Sequence, residues 1–367
     1  MAAALTSVTA RAAPRPAGGP LAWIRSELFG SWPSGVATLV LAGLFAWWLQ
    51  GALAWAVLHA VTTPSVEACR AARGSGACWG AVAEKYRLVI FGRYPYHEQG
   101  RPLAATLALL ALLLASCMRV CWNRGLIVAW AGAWVVFFAL MGGGVFGLER
   151  VPTDRWGGLP LTIMLSTFSI ALAFPLSVLV ALGRRSALPA IRSLCAVYVE
   201  LVRGVPLVSV LFMASFMFPL LMPPGFSIDV LVRVLAGSTL FAAAYLAEVV
   251  RGGLQAVPTG QIEAAASLGL GYWQTQRKIV LPQALAMVVP GIMNSFIATF
   301  KDTSLVTIVS LYELTGSLGL AFDSDAEWRP YKGEGSLFIA AIYFVFCFSM
   351  SRYSLWVEKH VGRSRAR

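Results

Sequence analysis

Eight long apolar blocks constrain the fold of this chain more than any other feature of its sequence. Its 367 residues are 58% hydrophobic and only 13% charged, whereas soluble domains carry roughly a quarter charged residues. A run of about 20 apolar residues is long enough for a helix to cross the hydrocarbon core of a bilayer. The sequence therefore predicts an all-α polytopic membrane protein with spans near residues 35–58, 103–119, 126–147, 159–182, 205–222, 231–250, 284–300 and 336–356.

The distribution of basic residues predicts how these spans are oriented. With the N-terminus in the cytoplasm, 17 of the 29 Lys and Arg residues fall on the cytoplasmic side, as the positive-inside rule favours. The short loop with Arg184, Arg185 and Arg192 is the clearest case. An even number of spans then places both termini and the segment 251–283 in the cytoplasm. We attribute the net charge of +12 to this topology and to lipid headgroups rather than to nucleic-acid binding.

The chain divides into unequal parts near residue 155. Its N-terminus is rich in Ala, Pro and Gly and lacks the apolar stretch of a signal peptide, so we expect it to be retained and disordered. The ordered polar motifs all lie after residue 155. The four expected segments are a disordered cytoplasmic segment at 1–34, three spans at 35–154 with a long outer loop at 59–102, five spans at 155–360, and a basic tail at 361–367.

The six cysteines fall into two groups. Cys69 and Cys78 both lie in the outer loop 59–102, where an oxidising compartment would permit a disulfide. Two unpaired thiols are the equally supported alternative. The other four cysteines have no metal-ligating residues beside them in the sequence, and we expect them to pack as small apolar side chains.

The segment 251–283 is an ordered polar interval between two apolar blocks. Gly252 and Gly253 are expected to break the preceding helix, and Thr259 suits the N-cap of a new one. Good helix formers from Gln261 to Leu268 then predict a helix of two to three turns that ends at the following glycine. So short a helix is marginal in isolation, and it therefore needs a surface against which to pack.

One face of this short helix consists mainly of small residues. Ile262, Ala265, Ala266 and Gly269 recur at helical spacing, and small side chains allow a partner to approach closely. A second amphipathic piece follows and is expected to end at Pro282. The alternative is an interfacial helix that lies on the membrane. Burial in lipid favours bulky apolar side chains, however, and most residues of this face are small. We therefore favour a docking site for another protein.

The same segment carries a motif. Its pattern E-A-A, three residues, G, nine residues, I, one residue, L-P matches the signature of permease subunits of ABC importers. The chain resembles the polar amino acid (histidine/glutamine/general L-amino acid) branch of that family at 200–212, 244–258 and 300–314, and the resemblance covers about 155–360. The three preceding spans and the outer loop are similar to the longer permease of general L-amino acid importers. The motif residues are Glu263, Ala264, Ala265, Gly269, Ile279, Leu281 and Pro282.

The resemblance implies a five-helix type I importer core in the bacterial inner membrane, with a cytoplasmic coupling helix at the motif. It also implies a second homologous permease, two copies of an ABC ATPase, a periplasmic binding protein and an amino acid substrate. ATP and Mg would bind the ATPase, because this sequence lacks a GxxxxGK[ST] phosphate loop. We expect no cofactor, metal site or catalytic residue in this chain. Val205 stands where the family usually has Thr, and the loss of the hydroxyl is expected to leave the turn intact. Ser209 stands where relatives often carry Gln, so substrate contacts there are not carried over.

Polar residues at membrane depth are the candidates for a substrate pathway. Charged groups in hydrocarbon cost at least ~2.5–3.5 kcal/mol, so they usually face a cavity or a partner. For Glu248, an ion pair with Arg251 or Arg203 is slightly favoured over a contact with substrate. For residues 301–304, a span end at the outer surface and a pore-lining break both remain open. The candidates are Glu200, Arg203, Glu248, Lys301, Asp302, Thr303 and Ser304.

Two functions of different classes follow from these observations. The favoured hypothesis is a permease subunit that forms half of the pathway of an ATP-driven, binding-protein-dependent amino acid importer. The alternative is a secondary amino acid transporter driven by an ion gradient, which would need its own buried ion site and no docking loop. Carboxylates on the outer face are expected to meet a binding protein or to be solvated; they are Asp323, Asp325, Glu327 and Glu334.

Overall fold

A computed structural model describes residues 19–145, 147–225 and 227–365. These residues are nearly all helical, and among them the only β-type pairings are two isolated bridges, Val61–Cys78 and Gly158–Glu313. Residues 1–18 of the predicted disordered segment and the last two residues of the predicted basic tail lie outside the described residues.

The described residues include seventeen α-helices. In chain order they are α1 (Pro20–Trp23), α2 (Trp32–Leu53), α3 (Val66–Ala71), α4 (Trp79–Phe91), α5 (Gly100–Cys117), α6 (Arg124–Gly142), α7 (Gly158–Gly183), α8 (Pro189–Gly204), α9 (Leu207–Phe212), α10 (Phe218–Leu220), α11 (Val230–Ala256), α12 (Thr259–Ser267), α13 (Tyr272–Thr275), α14 (Leu281–Met287), α15 (Val289–Asp302), α16 (Leu314–Asp323) and α17 (Lys332–Arg365). Short 3-10 helices cover Tyr96–Glu98, Arg119–Cys121, Thr153–Arg155, Thr303–Val309 and Arg329–Tyr331, and π-helical turns cover Ile24–Leu28, Ala54–Leu58, Met213–Met217 and Gln276–Val280.

Six helical segments of the described chain are long and apolar enough to cross a membrane. Two further segments are pairs of helices that meet at a sharp bend, of 105° between Pro189–Gly204 and Leu207–Leu220 and of 66° between Tyr272–Met287 and Val289–Val309. Counting each bent pair as one span gives eight, the predicted number. The six unbroken segments are Trp32–Leu58, Gly100–Cys117, Arg124–Gly142, Gly158–Gly183, Val230–Ala256 and Arg329–Lys359.

The sharpest bend has a local cause. Proline lacks a backbone N–H and disfavours helical geometry in the residue before it, and Val205, just before Pro206, is extended with φ −113° and ψ 138°. The predicted span 205–222 is therefore one arm of a bent pair rather than a straight helix. The predicted span 284–300 likewise crosses the second bend, at Val288.

One compact unit contains the described residues 19–62 and 67–78. Its span, α2 with the π-helical turn that follows, leaves its apolar side chains exposed, as expected of a helix surrounded by lipid. Cys69 and Cys78 are joined by a disulfide with their Cα atoms 5.4 Å apart. The segment that this disulfide closes is anchored on the end of the span, because the backbone N–H of Ala77 donates to the carbonyl of Trp55 at 2.8 Å.

The second unit contains residues 63–66 and the described residues from 79 to 365, and α7 and α11 pack together along its centre. The predicted outer loop 59–102 is partly helical, because its α4 packs against α7 and α16. Glycines permit this packing, since a Cβ on Gly92 or Gly158 would collide with the backbone of the other segment. The Lys85 ammonium also lies 2.8 Å from the Asp325 carboxylate.

Candidate functional site

The predicted short helix of the motif is α12. It begins at Thr259 with Pro258 as the N-cap, so the predicted Thr259 cap is one residue too late. The helix ends as predicted at Gly269, whose φ is +70°. The Gly269 N–H donates to Ala266 at 2.9 Å, and the Leu270 N–H donates to Ala265 at 3.1 Å. This pair of bonds is a Schellman motif, which stops the helix and satisfies its last carbonyls.

The faces of α12 differ from the prediction. Ala265 is 1% exposed, and Ile262 packs on an apolar cluster that includes Val250 and Leu254 of α11. These two residues therefore face the chain's own core, and the small size of Ala265 serves this internal contact. Glu263 and Ala264 of the motif are exposed instead, as are Ala266 and Gly269. The surface that α12 leaves open is thus its Glu263 side.

The rest of the motif leads back into the bundle. Ile279 and Leu281 are half-buried, and Leu281 joins the apolar cluster of α12. The prediction that the second amphipathic piece ends at Pro282 is wrong, because helical residues continue from Tyr272 to Met287. Pro282 lies in the first turn of α14, after the π-helical turn Gln276–Val280, where a missing N–H is tolerated.

The prediction that Gly252 and Gly253 break the helix before the motif is also wrong. α11 continues through both glycines to Ala256. A Cβ on Gly253 would meet the Ala284 carbonyl of α14. This glycine therefore permits two helices to approach closely, which is a packing role that local helix propensity does not reveal.

A cavity separates α12 from the end of α7. It measures about 320 Å³ and is called the α12 cavity below. One wall comes from Leu182 of α7 and from Arg185, which lies just beyond the end of that helix. The opposite wall comes from Ile262, Ala266, Leu270, Tyr272, Thr275 and Gln276.

Five charged residues form an ionic cluster beside this end of α7. The Glu248 carboxylate of α11 accepts a hydrogen bond from Arg184 Nη1 at 2.6 Å and another from Arg251 Nε at 3.0 Å. Arg203 Nη1 of α8 lies 3.8 Å from the same carboxylate. Glu200 completes the cluster, 3.6 Å from Arg184 Nη2. The expected ion pair of Glu248 with Arg251 or Arg203 is present, whereas the contact with Arg184 was not predicted.

The 301–304 segment lies where α15 changes to a 3-10 helix. The helical backbone continues to Val309, so the charged pair does not end the helical segment. Asp302 and Thr303 line a cavity of about 20 Å³ together with Ser169 of α7, which is space for one water molecule. We call it the central cavity. The Ser169 hydroxyl is buried and lacks a hydrogen-bond partner among the described residues. Lys301 is exposed and Ser304 half-buried, and neither lines this cavity.

Sequence reasoning missed Glu313, the most deeply buried acidic residue of the described chain at 0% exposure. Its carboxylate oxygens accept five hydrogen bonds, which we call the carboxylate network. The donors are the N–H groups of Thr315 (2.8 Å) and Gly316 (2.9 Å) and the hydroxyls of Thr307 (3.3 Å), Thr162 (3.3 Å) and Tyr343 (3.0 Å). Glu313 thereby caps α16 and ties it to α7 and α17. The local signal was an acid directly before a helical run, which is a cap pattern.

Two of the carboxylates that the sequence predicts for the outer face are paired within the chain. Asp323 lies 2.6 Å from the Lys332 ammonium, and Asp325 lies 2.8 Å from Lys85. The Lys85 hydrogen bond is the main reason that the pKa of Asp325 is lowered. Glu334 is buried at 8% exposure. These three side chains are therefore less available to a binding protein than the sequence suggested.

Although no metal site was predicted, three residues of metal-ligating type lie close together. They are His97, Glu98 and Glu149, whose ligand atoms are all within 4.8 Å of one another. Arg101 Nη1 lies 3.3 Å from the Glu98 carboxylate, and this positive charge opposes the binding of a cation at the same place.

Comparison with known proteins identifies the family. Residues 173–363 match the model of the family described as "Binding-protein-dependent transport system inner membrane component". The chain is also 45% identical to the inner membrane amino-acid ABC transporter permease protein YhdY of Escherichia coli, over 98% of this chain and 99% of that protein. The chain belongs to this family. It is therefore a multi-pass inner membrane permease, and the resemblance seen in the sequence is confirmed.

A second full-length relative agrees with this assignment. The permease is 36% identical to BztC of Rhodobacter capsulatus, a glutamate/glutamine/aspartate/asparagine transport system permease protein, over 96% of each chain. Among solved structures, it resembles an amino acid ABC transporter crystallised with histidines, with a TM-score of 0.49 and 28% identity over 55% of this permease and 92% of that chain.

Proposed function

We propose that this permease is one of two membrane subunits of an importer that carries polar amino acids and is driven by a separate ATPase. The amino acid class comes from its full-length similarity to YhdY and BztC. Its partners would be a second homologous permease, two ATPase copies with their ATP and Mg, and a periplasmic binding protein that delivers the amino acid. Both termini and α12 would then lie in the cytoplasm.

The exposed side of α12 is the observation that carries the coupling role. Glu263 and Ala264 face away from the bundle, whereas Ala265 and Ile262 anchor the helix to α11. A helix that is fixed on one side and open on the other is suited to transmit a push from a docked protein to the spans. The Schellman motif at Gly269 keeps the helix short and its end ordered.

The central cavity is the candidate for a point on the substrate pathway. Asp302 brings a carboxylate, and Ser169 and Thr303 bring hydroxyls, to a position between α7, α11 and α15. In a membrane such a polar group of residues usually marks a pathway or a partner. A space of about 20 Å³ holds no amino acid, so the spans would have to separate during transport.

Replacing Glu263 by Lys tests this proposal in the complete complex reconstituted into vesicles. We expect ATP-driven amino acid uptake to fall at least about tenfold while membrane insertion is unchanged, since the exposed charge changes sign and no internal contact is lost. Glu358→Lys is the matched control, an exposed acidic residue of α17 outside the motif. Equal uptake by both variants would contradict the coupling role.

The same reconstituted preparation distinguishes the importer from the alternative, a transporter driven by an ion gradient. Uptake that continues without ATP, or without the ATPase subunit, would support the secondary transporter. Uptake that depends on both, and on the binding protein, would support the importer.

A further inference from the structure

Four residues of the ionic cluster form an alternating chain of charges, Glu200–Arg184–Glu248–Arg203. Its successive separations are 3.6, 2.6 and 3.8 Å. The two ends of this chain, Glu200 and Arg203, both belong to the last turns of α8. The two central members come from the end of α7 and from α11. α8 is thus held at two points, once by each of the central helices of the unit.

The contacts of the cluster are of two kinds. Arg184 and Arg251 donate hydrogen bonds to Glu248, and all three side chains are at most 28% exposed. The contacts to α8 are longer than a hydrogen bond, and Glu200 and Arg203 are 73% and 41% exposed. Longer and better hydrated ion pairs are weaker. The cluster therefore has a fixed part on α7 and α11 and a releasable part on α8.

One face of α11 connects this cluster to the central cavity. Phe241 lines that cavity, and its ring lies 4.9 Å from the ring of Tyr245 one turn further along. The Arg203 guanidinium lies 5.4 Å from the Tyr245 ring centre, and Glu248 follows after another turn. The end of α8 therefore lies beside the face of α11 that leads from the central cavity to the end of the bundle where α12 lies.

The residue next to Arg184 connects the cluster to α12. Arg185 Nη1 donates to the Leu254 carbonyl in the last turn of α11 at 2.6 Å, and the same side chain lines the α12 cavity. Two consecutive residues at the end of α7 thus point to different places, one to Glu248 and one to the α12 segment. A displacement of α12 relative to α7 would act next to the central residue of the charge chain.

We propose that Glu200 and Arg203 form a latch that closes the passage below the central cavity while it is engaged with Arg184 and Glu248. The latch opens when a movement of α12 shifts the end of α7 and releases α8. These side chains are positioning residues that control access and do not bind the substrate. The inference rests on the proposed function, because it assumes that the central cavity belongs to the pathway and that α12 receives the movement.

Accessibility of the central cavity tests the latch without any need for transport. Ser238, which lines the cavity, is replaced by Cys after the four free cysteines have been changed to Ala. Inside-out vesicles containing the complete complex are then treated with a membrane-impermeant maleimide. We expect Glu200→Gln combined with Arg203→Gln to increase the rate of labelling at least about fivefold, since both contacts of α8 are lost.

Two control variants separate a latch from a general loosening of α8. Arg192→Gln removes an exposed charge from the same helix but outside the charge chain, and it should label at the parent rate. Glu200→Asp combined with Arg203→Lys keeps both charges and should stay within about twofold of the parent. Equal rates for the Gln pair, the parent and Arg192→Gln would overturn the proposal, as would equal increases for the Gln pair and Arg192→Gln.

A locked latch provides the second measurement. Arg203→Cys and Glu248→Cys are joined by a bismaleimide whose spacer contains a disulfide. The crosslinked complex should lose ATP-dependent uptake, and cleavage of the spacer should restore uptake to the level before crosslinking. Full uptake by the crosslinked complex would contradict the latch. Absence of ATP-dependent uptake by the unmodified complex would contradict the proposed function. The latch would still be tested in that case, because the labelling experiment does not require uptake.

Discussion

Glu313 and Glu248 lie near opposite ends of the second unit, and their surroundings differ in kind. Glu313 contacts Thr162 in the second turn of α7, whereas Glu248 contacts Arg184 just beyond its last turn, so the 26 residues of α7 place them roughly 30 Å apart. Glu313 is buried and accepts hydrogen bonds from neutral donors. Glu248 is 25% exposed and is surrounded by three arginines.

The difference shows that a buried glutamate can form a fixed contact between helices, whereas a partly hydrated glutamate can form one that is able to separate. Glu313 is held by hydrogen bonds from neutral donors, which require short distances. Moving Glu313 away from these donors would leave several buried polar groups unpaired. The arginines around Glu248 act over a longer range, and one of them already lies beyond hydrogen-bond distance. We therefore expect α16 to stay fixed on α7, while α8 is able to leave it.

Removal of the Glu313 side chain should have the largest effect. Glu313→Ala leaves the donors of Thr315, Gly316 and Tyr343 without their acceptor in a buried site, and each unsatisfied buried group costs about 1–3 kcal/mol. We expect the free energy of unfolding to fall by at least about 3 kcal/mol, measured by denaturation of the purified permease in detergent. Glu84→Ala, an exposed site on α4, is the control. A loss below about 1 kcal/mol would contradict a static network.

Neutralising Glu248 should have a smaller effect that depends on salt. Glu248→Gln leaves three arginine charges close together, and we expect a loss of about 1–2 kcal/mol because the site is partly hydrated. The repulsion is screened by ions, so the loss should shrink when salt is raised from about 0.05 M to about 0.5 M. The effect of Glu313→Ala should not change with salt. Equal salt dependence of both variants would remove the distinction between the two regions.

The parts of this structure that local sequence determines were predictable. The spans follow from apolar length, and the end of α12 follows from Gly269, whose φ of +70° favours glycine. Even Pro258 and Thr259 marked the start of α12 to within one residue. In each case the residues that decide the conformation lie within a few positions of one another.

The contacts between distant segments were not predictable in the same way. Thr162 lies 151 residues from Glu313, and Arg184 lies 64 residues from Glu248, so spacing along the chain carries no information about either pair. Ala265 shows the same limit, because helical spacing places it on a face but does not say whether that face meets the bundle or a partner. Tertiary packing decided that it meets the bundle.

The titration of Glu313 provides a pH-dependent test of its buried surroundings. Burial raises the pKa of its carboxyl above the ordinary 4.5, and the hydrogen bonds to Thr315 and Gly316 oppose this only in part. A carboxyl whose pKa is higher in the folded than in the unfolded state stabilises the fold fully at pH values below its unfolded-state pKa. This contribution to stability is lost as the pH rises through the folded-state pKa. The melting temperature of the wild type minus that of Glu313→Gln should therefore decrease from about pH 4 upwards. A difference that increases with pH would contradict this assignment.

The ion pair of Lys85 with Asp325 should contribute least. It joins α4 to the turn after α16, but the two side chains are 19% and 33% exposed, and hydrated ion pairs of this kind contribute little to stability. We expect Lys85→Met to lower the melting temperature only slightly, since the glycine-mediated backbone contacts of α4 remain. Gly92→Val should lower it much more, because a side chain there collides with Gly157. If Lys85→Met were the more damaging change, charge rather than close packing would hold α4 in place, and the surroundings of Lys85 would resemble those of Glu248.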